Sequence, residues 1–372
     1  MLPRRPRVIG INSGTSLDGL DVALFEFTRN KRRYRPVFLD GVSYRFPQRL
    51  RHSLYMLANG EIGEIRGMMK ADKSLAEFIA LKTLQALKSF GVDARDIALV
   101  ASHGQTISHI PEEKLTLQIG DPSIIAARAG ITVVGDFRMA DTGAGGEGAP
   151  LSPVMHYHIF SGSQPAGVLN IGGISNISYI PGRESDEIPF GFDCGPGNML
   201  IDALSGELFG KAYDSGGRVA SRGKVDGRVL DELLKDEFIR KKPPKSTGRE
   251  YYGTEFIERY FRGISSRESV LTTAVEFTVR SISINIESFI PPIEKVVVCG
   301  GGAKNDFLMR RLAYHLPMLK IVTSGEMGIP PQFVECAGFA VLGILAVNRI
   351  KVDLRKTTGA GKRVVLGKVC YA

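Results

Sequence analysis

Val8-Ile9-Gly10-Ile11-Asn12 runs into Ser13-Gly14-Thr15-Ser16-Leu17-Asp18-Gly19 and out again through Asp21-Val22-Ala23-Leu24-Phe25. An apolar run, a Gly/Ser-rich turn and a second apolar run read as a β-hairpin. The outline returns about half a chain later in Gly167-Val168-Leu169-Asn170-Ile171, Gly172-Gly173-Ile174-Ser175-Asn176 and Ile177-Ser178-Tyr179-Ile180. Glycines in such turns let backbone N–H groups close on an anion, and Ser, Thr and Asn add neutral donors. Two hairpins of this kind are what a protein needs to grip a polyphosphate from both sides.

The bulk properties agree with that outline. A chain of 372 residues is long enough for two domains with ordinary cores. Its 43% hydrophobic and 23% charged residues lie near globular averages. No stretch approaches the roughly 18 consecutive apolar residues of a membrane span. The longest candidate, residues 336–347, contains two glycines and reads as a buried helix. Only a four-residue apolar run follows Arg4, Arg5 and Arg7, too short for a signal-peptide core, so the expected location is cytoplasmic. Cys194, Cys299, Cys336 and Cys370 are widely spaced and form no C-x-x-C pair. That argues against a zinc site or a disulfide framework and for buried thiols in a reducing compartment. His156-Tyr157-His158 lacks carboxylate or thiol companions at helical spacing and reads as packed or surface histidines.

The net charge of +9 gathers partly in Arg4-Arg5-Pro6-Arg7, Lys31-Arg32-Arg33 and Lys241-Lys242-Pro243-Pro244-Lys245. None of these clusters interleaves aromatics, and Trp is absent, which speaks against a nucleic-acid surface. Solvated faces that steer anionic substrates are the better account.

Further along, Leu75, Phe78, Ile79, Leu81 and Leu84 recur near 3.6-residue spacing and predict a helix over 70–90. Residues 97–101 read as a buried strand ending in Ser102-His103-Gly104-Gln105-Thr106, and 131–134 as another ending in Gly135-Asp136-Phe137-Arg138. Polar residues just past strand carboxyl ends line ligand clefts in open α/β sheets. Asp141-Thr142-Gly143-Ala144-Gly145-Gly146-Glu147-Gly148-Ala149-Pro150 then reads as a flexible domain crossing. In the second half, Phe192-Asp193-Cys194-Gly195-Pro196-Gly197-Asn198 leads into a helix with Met199, Leu200, Ile201 and Leu204. Residues 295–299 form a strand running into Gly300-Gly301-Gly302-Ala303-Lys304-Asn305 and a helix over 307–312. Such a turn presents free N–H groups and a positive dipole end. Asn305 occupies the last glycine position of G-x-G-x-x-G, which disfavours a Rossmann site, and no G-x-x-x-x-G-K-[ST] is present. A final helix over about 332–350 returns the chain to the first domain, giving domains of 1–133 plus 333–372 and of 134–332.

With its two hairpins and later Gly-rich turn, the chain resembles the acetate-kinase, sugar-kinase, Hsp70 and actin superfamily. Five blocks resemble one family within it, anhydro-N-acetylmuramic acid kinase. They are Ser13-Gly14-Thr15-Ser16-Leu17-Asp18-Gly19, Ser102-His103-Gly104-Gln105-Thr106, Gly135-Asp136-Phe137-Arg138, Phe192-Asp193-Cys194-Gly195-Pro196-Gly197-Asn198 and Pro244-Lys245-Ser246-Thr247-Gly248-Arg249-Glu250. The blocks stand in the family's order and span most of the chain. The resemblance implies an α/β, two-domain actin-like (ribonuclease H-like) ATPase fold with a nucleotide cleft between domains. It implies ATP and Mg2+ as cofactors, a small-molecule sugar as substrate, a homodimer, and a role in cell-wall sugar recycling. The basic clusters and apolar runs described above predict no nucleic-acid or membrane partner. In the implied reaction, water attacks the anomeric carbon of 1,6-anhydro-N-acetylmuramic acid while O6 leaves toward the γ-phosphate. The products are N-acetylmuramic acid 6-phosphate and ADP.

Residue by residue, Asp193 matches the family's general base; its alternative role is to cap the following helix. Arg138 and Glu335 resemble sugar-contacting residues. Arg138 is suited to grip the lactyl carboxylate with two prongs, or else to form an ion pair with Asp136 or Asp141. His103 is either a hydrogen-bonding partner of the sugar or a packed histidine. Gly14, Thr15, Ser16, Leu17, Asp18, Gly19, Leu20 and Asp21 match the ATP-binding stretch, with Asp18 either reaching magnesium through water or capping its turn. Gly172 and Gly173 would face the phosphates, and Gly300, Gly301, Gly302 and Asn305 the adenosine. Glu147 stands where the family usually has Gln, Asn12 replaces a commonly apolar residue, and Cys336 takes the place of a usual Ala. Two other functions compete: a kinase of another hexose or amino sugar, in which Asp193 deprotonates the sugar hydroxyl, and a non-kinase actin-like ATPase. The chain beyond residue 350 is too short for a chaperone's peptide-binding domain.

Overall fold

The computed structural model describes residues 3–14, 17–30, 33–61, 64–248 and 250–372. Its strands, in chain order, are β1 (Arg7–Asn12), β2 (Gly19–Asn30), β3 (Arg33–Arg45), β4 (Ile97–Ser102), β5 (Gln105–Ile110), β6 (Leu115–Ile119), β7 (Val133–Gly135), β8 (Ala166–Ile171), β9 (Ile174–Ile180), β10 (Phe190–Pro196), β11 (Lys295–Cys299), β12 (Lys320–Thr323) and β13 (Lys368–Cys370). The chain forms two units, one of Met1–Ile159 with Phe333–Ala372 and one of Phe160–Gln332.

Both predicted hairpins are present, and each opens the sheet of its unit. In the first unit the order is β13-β7-β4-β1-β2-β3; in the second it is β10-β9-β8-β11-β12. Counted from the hairpin within each sheet, both contain the order 3-2-1-4-5. The first three strands pair antiparallel and the next two add parallel to strand 1. This repeated arrangement is the ribonuclease H-like sheet of actin-like ATPases. In the first unit β13 adds antiparallel to β7, and β5 and β6 form a separate two-stranded ribbon.

The central strands are apolar because both of their faces are covered. Val8, Ile9 and Ile11 of β1 have no exposed surface, nor do Val296, Val297 and Val298 of β11. The helix Val334–Val347 packs on β1 and β4 in the first unit and is apolar nearly all round, as a buried helix should be. Small residues set its approach. A Cβ on Gly10 would lie 2.0 Å from the Cys336 carbonyl oxygen, and one on Gly343 would lie 2.8 Å from the Ala101 Cβ. The corresponding support in the second unit is the long helix Arg267–Phe289, which packs against β10 and the helix Met199–Phe209. Leu271, Val275, Phe277 and Ile282 of that helix join Leu169, Phe192 and Val298 in one core.

The predicted helices fall over Ile65–Ser89, Met199–Phe209, Asp306–His315 and Val334–Val347. The unit boundaries differ at one end. The second division lies at Gln332/Phe333, but the first lies at Ile159/Phe160 rather than at residue 133. Hydrogen bonds tie the intervening Gly-rich loop to the first unit. The Asp141 carboxylate accepts from the Gly148 N–H (2.8 Å) and the Thr358 hydroxyl (2.8 Å), and the Glu147 N–H donates to the Thr358 carbonyl (2.9 Å).

Candidate active site

In the second unit, Asp193 lies on β10 opposite Asn176 of β9. The register slips between Asp193 and Gly195, so Cys194 is the extra residue of a β-bulge. Bulges bend a strand and re-aim the side chains beside them. This one is pinned from the helix Arg267–Phe289: the Cys194 carbonyl accepts from the Ser281 hydroxyl (2.5 Å) and the Asn285 side-chain amide (3.1 Å). Gly195 takes φ +133°, and a Cβ there would lie 2.4 Å from the Ser281 hydroxyl oxygen, so the position requires glycine. The Asp193 N–H donates to the Lys245 carbonyl (3.2 Å), and its Oδ2 accepts from the Thr247 N–H (2.9 Å). Burial pushes the carboxyl up to about 6, against the opposing effects of the Thr247 bond and the Lys245 charge. The helix-capping alternative is not what the geometry shows, since the cap position of Met199–Phe209 is Asn198.

The Gly-rich turns of this unit meet at the same sheet end. The Gly173 carbonyl accepts from the N–H groups of Gly197 (2.8 Å) and Met199 (3.1 Å), and the Gly172 carbonyl from that of Asn198 (2.8 Å). Gly300, at φ +79°, would place a Cβ 2.4 Å from the Asn170 side-chain oxygen; one on Gly302 would overlap the Ile171 side chain. Gly172, Gly173, Gly300, Gly301 and Gly302 therefore sit together past the carboxyl ends of β8 and β11, with Asn198 between them. Asn305 plays a structural part, because its side-chain oxygen accepts from the Leu308 N–H (3.1 Å) and caps the helix Asp306–His315. A cavity of about 390 Å³ near this turn, lined by Lys211, Tyr213, Arg218 and Arg222, escaped the sequence reading. Its only signal was the Asp214-Ser215-Gly216-Gly217 turn, in which Gly217 packs on Asn305.

In the first unit, β1, β4 and β7 run parallel and deliver their carboxyl ends side by side. Just past them, the Arg138 Nε donates to the His103 Nε2 (3.2 Å) and its Nη1 to the Gly148 carbonyl (2.9 Å). Neither expected ion pair forms. Asp136 pairs with Lys368 (2.5 Å), and Asp141 is occupied by Gly148 and Thr358. Desolvation draws the guanidinium down to about 10, opposed by the charges of Glu335 and Asp141. The His103 ring stacks on Phe339 at 4.5 Å, and burial holds its pKa well below the usual range, so the imidazole is neutral. Glu335 opens the helix Val334–Val347 and accepts a hydrogen bond from the Asn12 side-chain amide. Desolvation raises its carboxyl and Asp21 adds to the rise, while Asn12 and Arg138 oppose it. Arg138, Glu335 and His103, named from sequence, thus share one neighbourhood. Asn12 and the Ser13–Gln105 hydrogen bond join it, the last unforeseen because Gln105 is distant in sequence.

Thr15 and Ser16 of the expected ATP stretch lie outside the described residues. Gly14 is exposed at the turn, and Leu17 follows at φ 54°, a left-handed conformation uncommon for a branched side chain. Leu17 and Leu20 point into the core, so only their backbone is available to a ligand. A Cβ on Gly19 would lie 2.1 Å from the Tyr44 carbonyl oxygen. Asp18 is largely exposed and pairs with Arg51 (3.1 Å); Asp21 accepts from the Ser43 hydroxyl.

A family model described as anhydro-N-acetylmuramic acid kinase matches residues 6–372. Proteins named anhydro-N-acetylmuramic acid kinase align over nearly the full length. That of Cupriavidus pinatubonensis is 39% identical, covering 98% of this chain and 98% of its own. That of Shewanella loihica is 39% identical over 96% and 97%, and that of Caldanaerobacter subterraneus is 36% identical over 97% and 96%.

Proposed function

Because the chain belongs to the anhydro-N-acetylmuramic acid kinase family and is an ATP-dependent sugar kinase, we propose that it opens the anhydro ring of 1,6-anhydro-N-acetylmuramic acid with water and phosphorylates O6. The observation that carries this reading is the Asp193 carboxylate, aimed by a bulge and held near pH 6. A general base is most effective with a pKa close to the working pH, where it is ionised and still basic. As water attacks the anomeric carbon, Asp193 takes its proton; the C1–O6 bond breaks, and O6 forms its bond to the γ-phosphorus as the bond from that phosphorus to the β,γ-bridging oxygen breaks and ADP leaves with the oxygen. Asp193 then releases that proton to solvent, which regenerates the base without a covalent enzyme intermediate and leaves N-acetylmuramic acid 6-phosphate and ADP.

The group around Arg138 supports the sugar assignment. A part-buried guanidinium lacking an ion pair among the described residues is a ready partner for the lactyl carboxylate, which supplies two acceptor oxygens. Neutral His103 fixes the direction of Arg138, and Glu335 would accept hydrogen bonds from sugar hydroxyls. Gly14 and residues 17–21, with the turns at Gly172–Gly173 and Gly300–Gly302, would offer backbone to ATP. Magnesium bound to the triphosphate would neutralise charge at the transferred group. Asp18 would hold one of its waters, exchanging its Arg51 partner for it. Cytoplasmic sugar recycling suits this reaction; no helix among the described residues is long and apolar enough to cross a membrane.

ADP release measured with the anhydro sugar, with free N-acetylmuramic acid and with other amino sugars tests the substrate. A brief reaction in ¹⁸O-water tests the chemistry. Label at C1 and none in the phosphate is the expected result. Turnover of free amino sugars alone, without label at C1, would replace this reading with that of an ordinary sugar kinase.

A further inference from the structure

The proposed reaction leaves one buried charge unused. Lys245 is 6% exposed, and its ammonium donates to the carbonyls of Phe238 (2.9 Å) and Ile239 (3.0 Å) in the short helix Glu237–Arg240. It also lies 4.9, 5.3 and 5.9 Å from the ring centroids of Phe238, Phe289 and Phe192. Ring faces and carbonyl oxygens stabilise a cation, yet no carboxylate comes within ion-pairing distance of Nζ among the described residues. The same residue's main chain grips the base: its carbonyl accepts the Asp193 N–H, and two residues on the Thr247 N–H donates to the Asp193 carboxylate.

We propose that Lys245 is a positioning residue for Asp193: its caged ammonium anchors the 245–247 strap to the helix Glu237–Arg240, so that the strap's main chain holds β10, and lends a fixed positive charge that keeps the carboxylate oriented and ionised. This rests on Asp193 being the general base. Among the described residues, the groups facing Asp193 are few. Lys245 and the Thr247 amide come from the strap, the Cys194 thiol from its own strand, and the Tyr252 hydroxyl from beyond. Burial pushes the Cys194 and Tyr252 groups far up, so both stay neutral at pH 7. Lys245 in turn faces Asp236 and Lys241. Burial draws the ammonium down to about 8, which leaves it charged at neutral pH.

The experiment is the pH profile of kcat/KM for the anhydro sugar at saturating ATP, with melting temperatures, for wild type, Asp193→Asn, Lys245→Met, Lys245→Gln and Lys245→Arg. Wild type should lose activity below a midpoint near 6, and Asp193→Asn should lack that limb. Removing the charge in Lys245→Met should move the midpoint up by about one pH unit. The loss is then several-fold near pH 6 and small above pH 8. Lys245→Gln keeps a donor for the two carbonyls, guarding against a variant that fails to fold, and should show the same shift. Lys245→Arg, which keeps the charge, should return the midpoint toward wild type. An unmoved midpoint in folded Met and Gln variants, with activity lowered equally at every pH, overturns the proposal and leaves a structural lysine. A wild-type limb that survives in Asp193→Asn overturns the base assignment instead.

Discussion

At the scale of single residues, the proposed chemistry rests on two groups held away from their ordinary behaviour, Asp193 and Arg138. Asp193→Asn should bind ATP and sugar but lose on the order of 10²-fold or more in turnover, the worth of a missing general base. Near-normal turnover would refute the assignment. The same substitution should stabilise the fold at neutral pH. The native carboxyl binds its proton up to about 6 while the unfolded one releases it near 3.8. Wild-type stability therefore falls as pH rises through that window, and Asn escapes the loss. A higher melting temperature for the variant at pH 7.5, fading toward pH 4, is the expected pattern; equal melting at both pH values would contradict the raised pKa. Arg138→Ala should reduce kcat/KM for the anhydro sugar far more than for an analogue lacking the lactyl carboxylate. The loss of one partner of a buried charge pair is worth ~2–5 kcal/mol. An equal loss on both sugars would remove Arg138 from substrate recognition.

How far these residues could be read from sequence follows from their spacing. Asp193 was singled out by the resemblance, and Gly195, Pro196 and Gly197 behind it marked a strand end where the backbone must turn. The bulge that aims it was invisible, since it depends on Ser281 and Asn285 nearly a hundred residues away. Lys245 read as one more charge in a solvated basic cluster, because nothing local shows that Phe192 and Phe289 will close around it.

Among the elements, the two hairpins were the most legible. Their strands are largely apolar, and their turns are too polar and Gly-rich to be anything else. The helix Arg267–Phe289 had no such signature: it is rich in Val, Thr, Ser and Ile, which local propensity favours weakly for helix. It forms because burial of fifteen of its residues outweighs that preference. Threonines and serines inside it return hydroxyls to the preceding turn, as Thr272 does to Glu268 (2.8 Å) and Ser283 to Val279 (2.9 Å). The contact between β1 and the helix Val334–Val347 is the most exacting junction in the first unit. Gly10→Ala drives a methyl into the Cys336 carbonyl and should destabilise by about 1–3 kcal/mol or more. Urea unfolding measures it, and a change under about 0.5 kcal/mol, the range of an ordinary surface substitution, would show that helix and strand separate freely.

For the whole molecule, the formal charge of +9 meets substrates that are anions, ATP and a sugar acid. Raising ionic strength from about 0.02 to 0.3 M should lower kcat/KM several-fold while leaving kcat at saturation nearly unchanged, since screening weakens steering more than bound contacts. A salt-independent kcat/KM would confine the excess charge to idle surface. The thiols offer a different use of the fold. Cys194 and Cys299 are buried in one unit, Cys336 in the other, while Cys370 is partly exposed. Each buried sulfur can meet an alkylating reagent only when its own surroundings open. The protein thus carries native chronometers of local opening, two for one unit and one for the other. Pulsed alkylation followed by mass mapping can therefore time the loosening of each half separately, with no label engineered in.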